Sequence, residues 1–307
     1  MEGIKKKLLV IGGTGFIGTN LLRKADELNF ETYSLSTKEP PDTNYVKNTK
    51  YFFSDTTKQN NLDKIFENNF QYVVNLAGYI DHRSIIDGGF PIITEQINLI
   101  NNIISLIRNR SLIKFVQIGS SDEYGMNKSP IKEATRENPI SPYSLARVFN
   151  TQYLQMLYLT ENLPIVILRL FLVYGPHQKF DRLVPQVINA CLNNKIINLS
   201  DGKQIKDFCY VSDVVDAIIK CLDTENISGK IFNIGSGKKT SVREIVEKIH
   251  VSIGSGYPRF SKKNTKLLEN RVLYPNISKS KKLIKWQPNT ALDEGLKLTI
   301  DWYTKVV

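Results

Sequence analysis

The chain has 307 residues, 41% of them hydrophobic, enough for a sizeable core and more than one typical domain. No apolar run approaches the ~18 residues of a membrane span, and the basic start leads into only a short apolar run before glycines, too little for a signal peptide. The net charge of +11 favours anionic partners, either nucleic acid or small phosphorylated ligands.

In chain order, residues 7–11 form an apolar strand candidate. Gly12-Gly13-Thr14-Gly15-Phe16-Ile17-Gly18 follows it and opens a helical pattern over 15–29. This is both G-x-G-x-x-G (13, 15, 18) and G-x-x-G-x-x-G (12, 15, 18). The glycines serve a tight turn, close backbone approach to a pyrophosphate, and helix–strand contact, with the helix N-terminus facing the phosphate charge. A second strand, 32–35, runs into Ser36-Thr37-Lys38, where a dinucleotide fold usually carries an acid for the ribose 2′-hydroxyl. Without that acid, Ser36, Thr37 and Lys38 suit a 2′-phosphate, which tilts the expected cofactor from NAD toward NADP. Further strands are expected at 72–76, 114–118 and 164–170, and helices at 94–109 and 142–161. Several of these strands are continuous apolar runs, as in a parallel sheet covered on both faces. The repetition implies right-handed βαβ units and a doubly wound α/β sheet. Beyond it, helices at 183–192, 213–223, 241–251 and 292–305 alternate with short strands such as 231–234, which predicts a smaller α/β lobe.

Cys191, Cys209 and Cys221 form no C-x-x-C pair, and His82, His177 and His250 are scattered, so neither disulfides nor a metal site is expected. The basic excess is concentrated late, where Arg259, Lys262, Lys263, Lys266, Arg271, Lys279, Lys281, Lys282 and Lys285 face only Glu269. No nucleic-acid-binding motif accompanies it. A solvated lysine-rich surface, with one or two residues holding a phosphate, is the expectation.

Further motifs appear in order: Asp55 after Phe53-Ser54, Asn75-Leu76-Ala77-Gly78, Asn98, Gly119-Ser120-Ser121-Asp122-Glu123-Tyr124-Gly125, Pro142-Tyr143-Ser144-Leu145-Ala146-Arg147, Leu168-Arg169, Val173-Tyr174-Gly175-Pro176, and residues 205–213. With the glycine loop they resemble the extended short-chain dehydrogenase/reductase family, specifically its nucleotide-sugar epimerases, dehydratases and 4-keto reductases, over nearly the whole chain. The resemblance implies a Rossmann-type doubly wound domain over 1–171. A smaller α/β substrate lobe would occupy 172–307, with some segments returning to the first domain. It implies NAD(P)-dependent oxidoreduction at C4 of a nucleoside-diphosphate sugar, as a 4-keto reductase or 4-epimerase, supplying surface-polysaccharide precursors. Neither nucleic acid nor a membrane is an expected partner. A homodimer is implied through the helices 94–109 and 142–161, with Ile97, Ile100, Ile104, Phe149, Tyr153 and Met156 as apolar surface at helical spacing that core packing explains equally well for many of them.

By the same resemblance the cofactor contacts Gly12, Gly15, Phe16, Ile17, Gly18, Ser36, Lys38, Asp55, Leu76, Ala77, Gly78, Asn98, Tyr143 and Arg147. The substrate meets Ser121, Arg182, Lys206, Lys266 and Arg271. Oxidising a hydroxyl needs a base for its proton; a tyrosine serves when a fixed cation favours phenolate, and a spacing of four places that cation on the same helix face. Tyr143 is thus the acid/base, Ser120 the orienting donor and Arg147 the cation. The family has lysine at 147, and a broad guanidinium is not a compact ammonium, so a non-catalytic, nucleotide-sugar-binding member is one alternative. Asp122 is a further catalytic candidate, pointing to a 4,6-dehydratase, although Asp122-Glu123 sits one residue later than the pair of such enzymes. Glu269, three after Lys266, resembles a pattern of certain 4-reductases.

Overall fold

Leu8, Leu9 and Val10 are fully buried on both faces of their strand, which is why this run carries no polar alternation. In chain order the elements are β1 (Lys7–Ile11), α1 (Phe16–Glu27), β2 (Glu31–Ser36), β3 (Lys50–Phe53), α2 (Leu62–Phe66), β4 (Tyr72–Asn75) and α3 (Phe90–Ile107). β5 (Lys114–Ser120), α4 (Pro142–Glu161), β6 (Ile165–Leu170), β7 (Leu172–Tyr174), α5 (Leu183–Leu192), β8 (Ile196–Leu199), β9 (Ile205–Lys206) and β10 (Phe208–Tyr210) follow. The chain continues with α6 (Val211–Asp223), β11 (Ile231–Ile234), β12 (Thr240–Ser241), α7 (Val242–Ile253), β13 (Tyr257–Phe260), β14 (Val272–Leu273), α8 (Ser278–Leu283) and α9 (Leu292–Val306). This computed structural model describes residues 5–58, 62–78, 80–107, 112–261 and 270–307. Lys266 and Glu269 lie outside the described residues.

A seven-stranded sheet runs in the order β3-β2-β1-β4-β5-β6-β11, with the β1–β2, β2–β3, β1–β4 and β4–β5 pairs all parallel. The strand order reverses between β1 and β4. In open α/β sheets that switch point opens a crevice at the carboxyl ends of the strands. The expected doubly wound architecture is therefore present. β3, which the sequence pattern does not predict, is a short edge strand held by aromatic stacking, with the rings of Tyr33 and Phe52 6.2 Å apart.

Two compact units share the chain: Met1–Gly125 with Arg136–Arg169 and Val215–Phe232, and Met126–Thr135 with Leu170–Val214 and Asn233–Val307. In the first, Ile100, Ile103, Ile104, Leu154 and Leu157 join Leu9, Leu35 and Phe115 in one core. Ile100 and Ile104, open to either a dimer surface or the core, are 0% and 4% exposed and belong to the core, because the stripe at 96, 99, 100, 103, 104 and 107 is the face α3 turns inward. Outward-facing apolar residues on these helices are Phe90, Leu145, Phe149, Met156 and Leu159.

In the second unit, α5, α7 and α9 pack together, and three small sheets pair β7 with β10, β8 with β13, and β9 with both β12 and β14. Asp213 ties its last loop, accepting from the backbone N–H groups of Asn289 and Thr290 at 2.9 and 3.2 Å, while the Trp286 indole donates to the Asp213 carbonyl at 2.9 Å. Cys191, Cys209 and Cys221 are buried and free, and burial pushes the Cys221 thiol up to about 12. Among the described residues no helix is long and apolar enough to cross a membrane.

Candidate active site

Gly12 follows β1, and its φ of +83° is the left-handed region that favours glycine. Its N–H donates to the Leu35 carbonyl at 2.7 Å, and a Cβ there would stand 3.2 Å from the Ala77 nitrogen, so the loop lies hard against the segment that leaves β4. Gly18 is closed more tightly still: a Cβ would come within 2.3 Å of the Gly12 carbonyl oxygen. Gly15, the residue before α1, is exposed, and the only described atom near its missing Cβ is the Gly12 oxygen at 3.2 Å. No side chain caps α1, and its first turn, Phe16 and Ile17 included, carries no acid. The result is a cradle of backbone with free N–H groups and a positive dipole end, which fits a dinucleotide pyrophosphate. Gly18→Ala should therefore cost roughly 1–3 kcal/mol by overpacking and weaken cofactor binding, both measurable by denaturant titration and cofactor fluorescence.

Around this cradle, Ser36 is buried at the end of β2 and its Oγ accepts from the Thr14 N–H at 3.2 Å. Lys38 is exposed just beyond. Asp55 follows β3 and is half-buried; Thr57 donates to it from Oγ1 at 2.7 Å and from its backbone at 3.0 Å. These bonds hold its carboxyl below the usual range despite partial burial. Leu76, Ala77 and Gly78 leave β4 under the control of Asn75, a fully buried amide that donates to Gln117 Oε1 at 2.9 Å and accepts from the Ala77 N–H at 3.0 Å. Asn98 is exposed on α3, whereas Gln96, two residues earlier, is buried beside Gly78.

α4 starts where Ser141 caps the Ser144 N–H and Pro142 occupies the first turn. Tyr143 is 3% exposed and Arg147 5%. Arg147 is thus no surface residue. Its guanidinium carbon lies 5.3 Å from the Tyr143 ring centroid, Nη1 donates to the Ile118 carbonyl at 3.0 Å, and Nη2 reaches the Ala77 and Gly78 carbonyls at 3.5 Å. Gly78, at φ +107°, makes room for it: a Cβ would sit 2.8 Å from Nη2. One buried cation therefore both faces the phenol and joins the ends of β4 and β5.

Ser120 ends β5 and opens a 3₁₀ turn, Ser121–Tyr124, in a reciprocal capping arrangement. Its Oγ accepts from the Asp122 N–H at 3.1 Å, leaving its own proton for an outside acceptor, and its N–H donates to Glu123 Oε1 at 2.8 Å. Glu123 is fully buried and also accepts from Thr151 Oγ1 at 2.7 Å and Arg169 Nε at 2.8 Å. Arg169 in turn donates to Glu137 at 2.5 Å and covers the Tyr124 ring at 4.6 Å. Burial pushes the Glu123 carboxyl up, against the pull of Arg169; burial is also the largest single influence on the arginine and opposes its charge, but Glu123, Tyr124 and Glu137 together outweigh it and Arg169 stays ionised. This network, which the sequence pattern does not reveal, makes Glu123 an anchor for Ser120. Asp122 remains partly exposed, its Oδ2 3.9 Å from His82 Nε2, and the His82 ring stands edge-on to Tyr143 at 5.5 Å.

Of the expected substrate contacts, Ser121 is buried beside Ser120 in the first unit. The described basic residues fall in the second. Lys206 lies on β9, and Arg271 immediately precedes β14, its carbonyl accepting from the Ile205 N–H at 2.7 Å; Lys206 Nζ donates to the Asn270 carbonyl at 2.7 Å, and Arg271 pairs with Asp201 at 2.7 Å. Arg182 immediately precedes α5, 3.8 Å from Asp181.

Residues 8–235 match the model of the NAD dependent epimerase/dehydratase family. A putative UDP-glucose 4-epimerase of Methanocaldococcus jannaschii is 31% identical, over 96% of this chain and 97% of that protein. A UDP-N-acetyl-alpha-D-glucosaminuronate decarboxylase of Bacillus cytotoxicus is 28% identical over 99% of each. Among solved structures, the UDP-glucuronic acid 4-epimerase of Bacillus cereus, in complex with UDP-glucuronic acid and NAD, superposes with a TM-score of 0.88 at 25% identity, covering 98% of this chain and all of that one. The glycine cradle, the Tyr143–Arg147 pair and these full-length likenesses place the chain in the NAD-dependent epimerase/dehydratase family of enzymes.

Proposed function

We propose that the protein catalyses oxidoreduction at C4 of a UDP-sugar, as a 4-epimerase or 4-keto reductase, through Tyr143. The observation that carries this reading is the buried phenol held over a buried guanidinium, with Ser120 on the neighbouring strand end and the glycine cradle on the same sheet edge. When bound, the nicotinamide supplies or accepts the hydride at C4. Tyr143 takes or returns the hydroxyl proton, the Arg147 guanidinium holds the ring in place, and Ser120 donates to the same oxygen. Lys206 and Arg271 are the candidate holders of the diphosphate, with Arg182 a further candidate in the second unit. A 4,6-dehydratase is less well supported, because Glu123 is committed to Arg169 and leaves Asp122 without an acid partner of the same kind. Relatives that act on UDP-glucose and UDP-glucuronate motivate the choice of base.

Incubation with UDP-glucose, UDP-glucuronate and UDP-4-keto-6-deoxyglucose, with NAD⁺ or NADPH, tests the reading. Interconversion of C4 epimers or reduction of the ketone supports it; no reaction with any of them overturns it. The strand end at Ser36 and the exposed Lys38 favour NADP over NAD. Lys38→Glu should then raise the KM for NADPH about tenfold, about 1.4 kcal/mol, with little change for NADH. The outward apolar residues Phe90, Leu145, Phe149 and Met156 suit a homodimer through α3 and α4, checked by sedimentation of the wild type against Leu145→Glu.

A further inference from the structure

Tyr143 is almost fully enclosed, and the cation beside it cannot supply protons. Arg147 keeps its proton under all ordinary conditions, and its two Nη atoms are turned to the carbonyls of Ile118, Ala77 and Gly78. A ketone reduction consumes one proton per turnover, so the phenolate it leaves behind must be recharged from solvent. A second neighbour of the ring offers the means. His82 stands edge-on to Tyr143, with ring centroids 5.5 Å apart at 77°, and its side chain is half exposed. Its Nε2 faces Asp122 Oδ2 at 3.9 Å. Asp122 is fixed through its backbone N–H to the Ser120 hydroxyl. The other charged groups near the imidazole, Asp81 and Arg83 on its own loop, pair with each other at 2.7 Å.

The geometry points to His82, paired with Asp122, as the positioning and relay residue that returns solvent protons to Tyr143, and thereby to net reduction of a 4-keto sugar as the chain's reaction. The inference rests on the C4 reading above and narrows it. In the step, the C4 alkoxide takes the phenolic proton of Tyr143, forming its O–H bond and leaving phenolate. The imidazolium of His82 gives a proton to that phenolate, directly or across one water. The neutral imidazole then takes a proton from solvent, with the Asp122 carboxylate orienting the ring. One proton and one hydride are consumed per alcohol formed. A 4-epimerase needs no such path, because the proton Tyr143 removes in the first half of its cycle is the one it returns in the second.

The test uses NADPH and UDP-4-keto-6-deoxyglucose. His82→Ala should keep a first turnover at the wild-type rate and then slow about 10- to 100-fold in kcat with KM unchanged. Added imidazole should restore the steady state in His82→Ala but not in Tyr143→Phe. Independently of substrate, long-range ¹H–¹⁵N spectra should show the His82 ring nitrogens shifting in Asp122→Asn. A His82→Ala rate within twofold of wild type, no rescue by imidazole, or ring nitrogens indifferent to Asp122→Asn overturns the relay. Wild type that interconverts C4 epimers without consuming cofactor overturns it too, yet leaves the C4 reading standing. Inertness of the wild type toward every nucleotide sugar sinks both.

Discussion

Tyr143→Phe should lower kcat on the reacting UDP-sugar by roughly 10²- to 10⁴-fold, the usual contribution of a positioned acid/base group, while the folded protein and its cofactor affinity stay close to wild type. The ring is 3% exposed and packs against the Arg147 guanidinium and the His82 ring, contacts that a phenyl group keeps. What disappears is the oxygen proposed to exchange a proton with the C4 oxygen. The effect should appear in kcat more than in KM, because the lost interaction is with a proton in flight rather than with the bound sugar. Progress curves and a thermal scan of both proteins decide the matter. A variant within tenfold of wild type would move the acid/base role elsewhere, with Asp122 the first place to look.

The second large effect concerns stability. Arg169→Met should cost about 3–5 kcal/mol, the penalty for leaving a buried charge without its partner, and lower Tm by roughly 10 °C. Both Glu123 and Arg169 have side chains of 0% exposure, and Glu137 and the Tyr124 ring also lean on the guanidinium. Burial already pushes the Glu123 carboxyl up, and Arg169 is the largest influence drawing it down. Once the arginine is gone, Glu123 binds its proton more tightly in the folded state than in the unfolded chain. A carboxyl shifted in that direction gives its full stability below the unfolded value, about 4.3, and loses it as pH rises through the folded value. The variant should therefore weaken between mildly acidic and neutral pH more steeply than wild type. Glu123→Leu combined with Arg169→Met should recover much of the loss, since neither charge is then stranded. Equal stability of the single and double variants in urea would refute this account. Glu123→Leu alone should also slow the reaction, because the Ser120 N–H loses the carboxylate that positions it.

The parts of this molecule that can be read from sequence are those whose cause is local. The bounds of α4 follow from Ser141 and Pro142 at one end and Asn162 in the left-handed conformation at the other. The glycine loop is legible because strand, turn and helix are contiguous, and Tyr143 and Arg147 because four residues make one helical turn. β3 escapes because it is a four-residue edge strand of mixed lysine and aromatic character, held by contacts with β2. Glu123 reads as a loop acid until Arg169, 46 residues later, and Thr151 close over it. His82 is one of three scattered histidines until the loop after β4 brings it to Tyr143. On α3 an apolar stripe is visible, but which side of it meets the sheet is decided by packing. That decision puts Ile100 and Ile104 inside, and Gln96 rather than Asn98 beside Gly78.

The division of the chain between two units has a practical corollary for anyone wishing to dissect it. β11, the strand that borders β6, comes from residues 231–234, more than sixty positions after β6 ends. A chain cut shortly after Leu170 would keep the glycine loop and Tyr143 yet surrender that border. It would present β6, a six-residue run buried along its whole length, as a bare and sticky margin. Such fragments should aggregate on expression. Swapping specificity between relatives would have to proceed by grafting several separate stretches rather than by a single crossover.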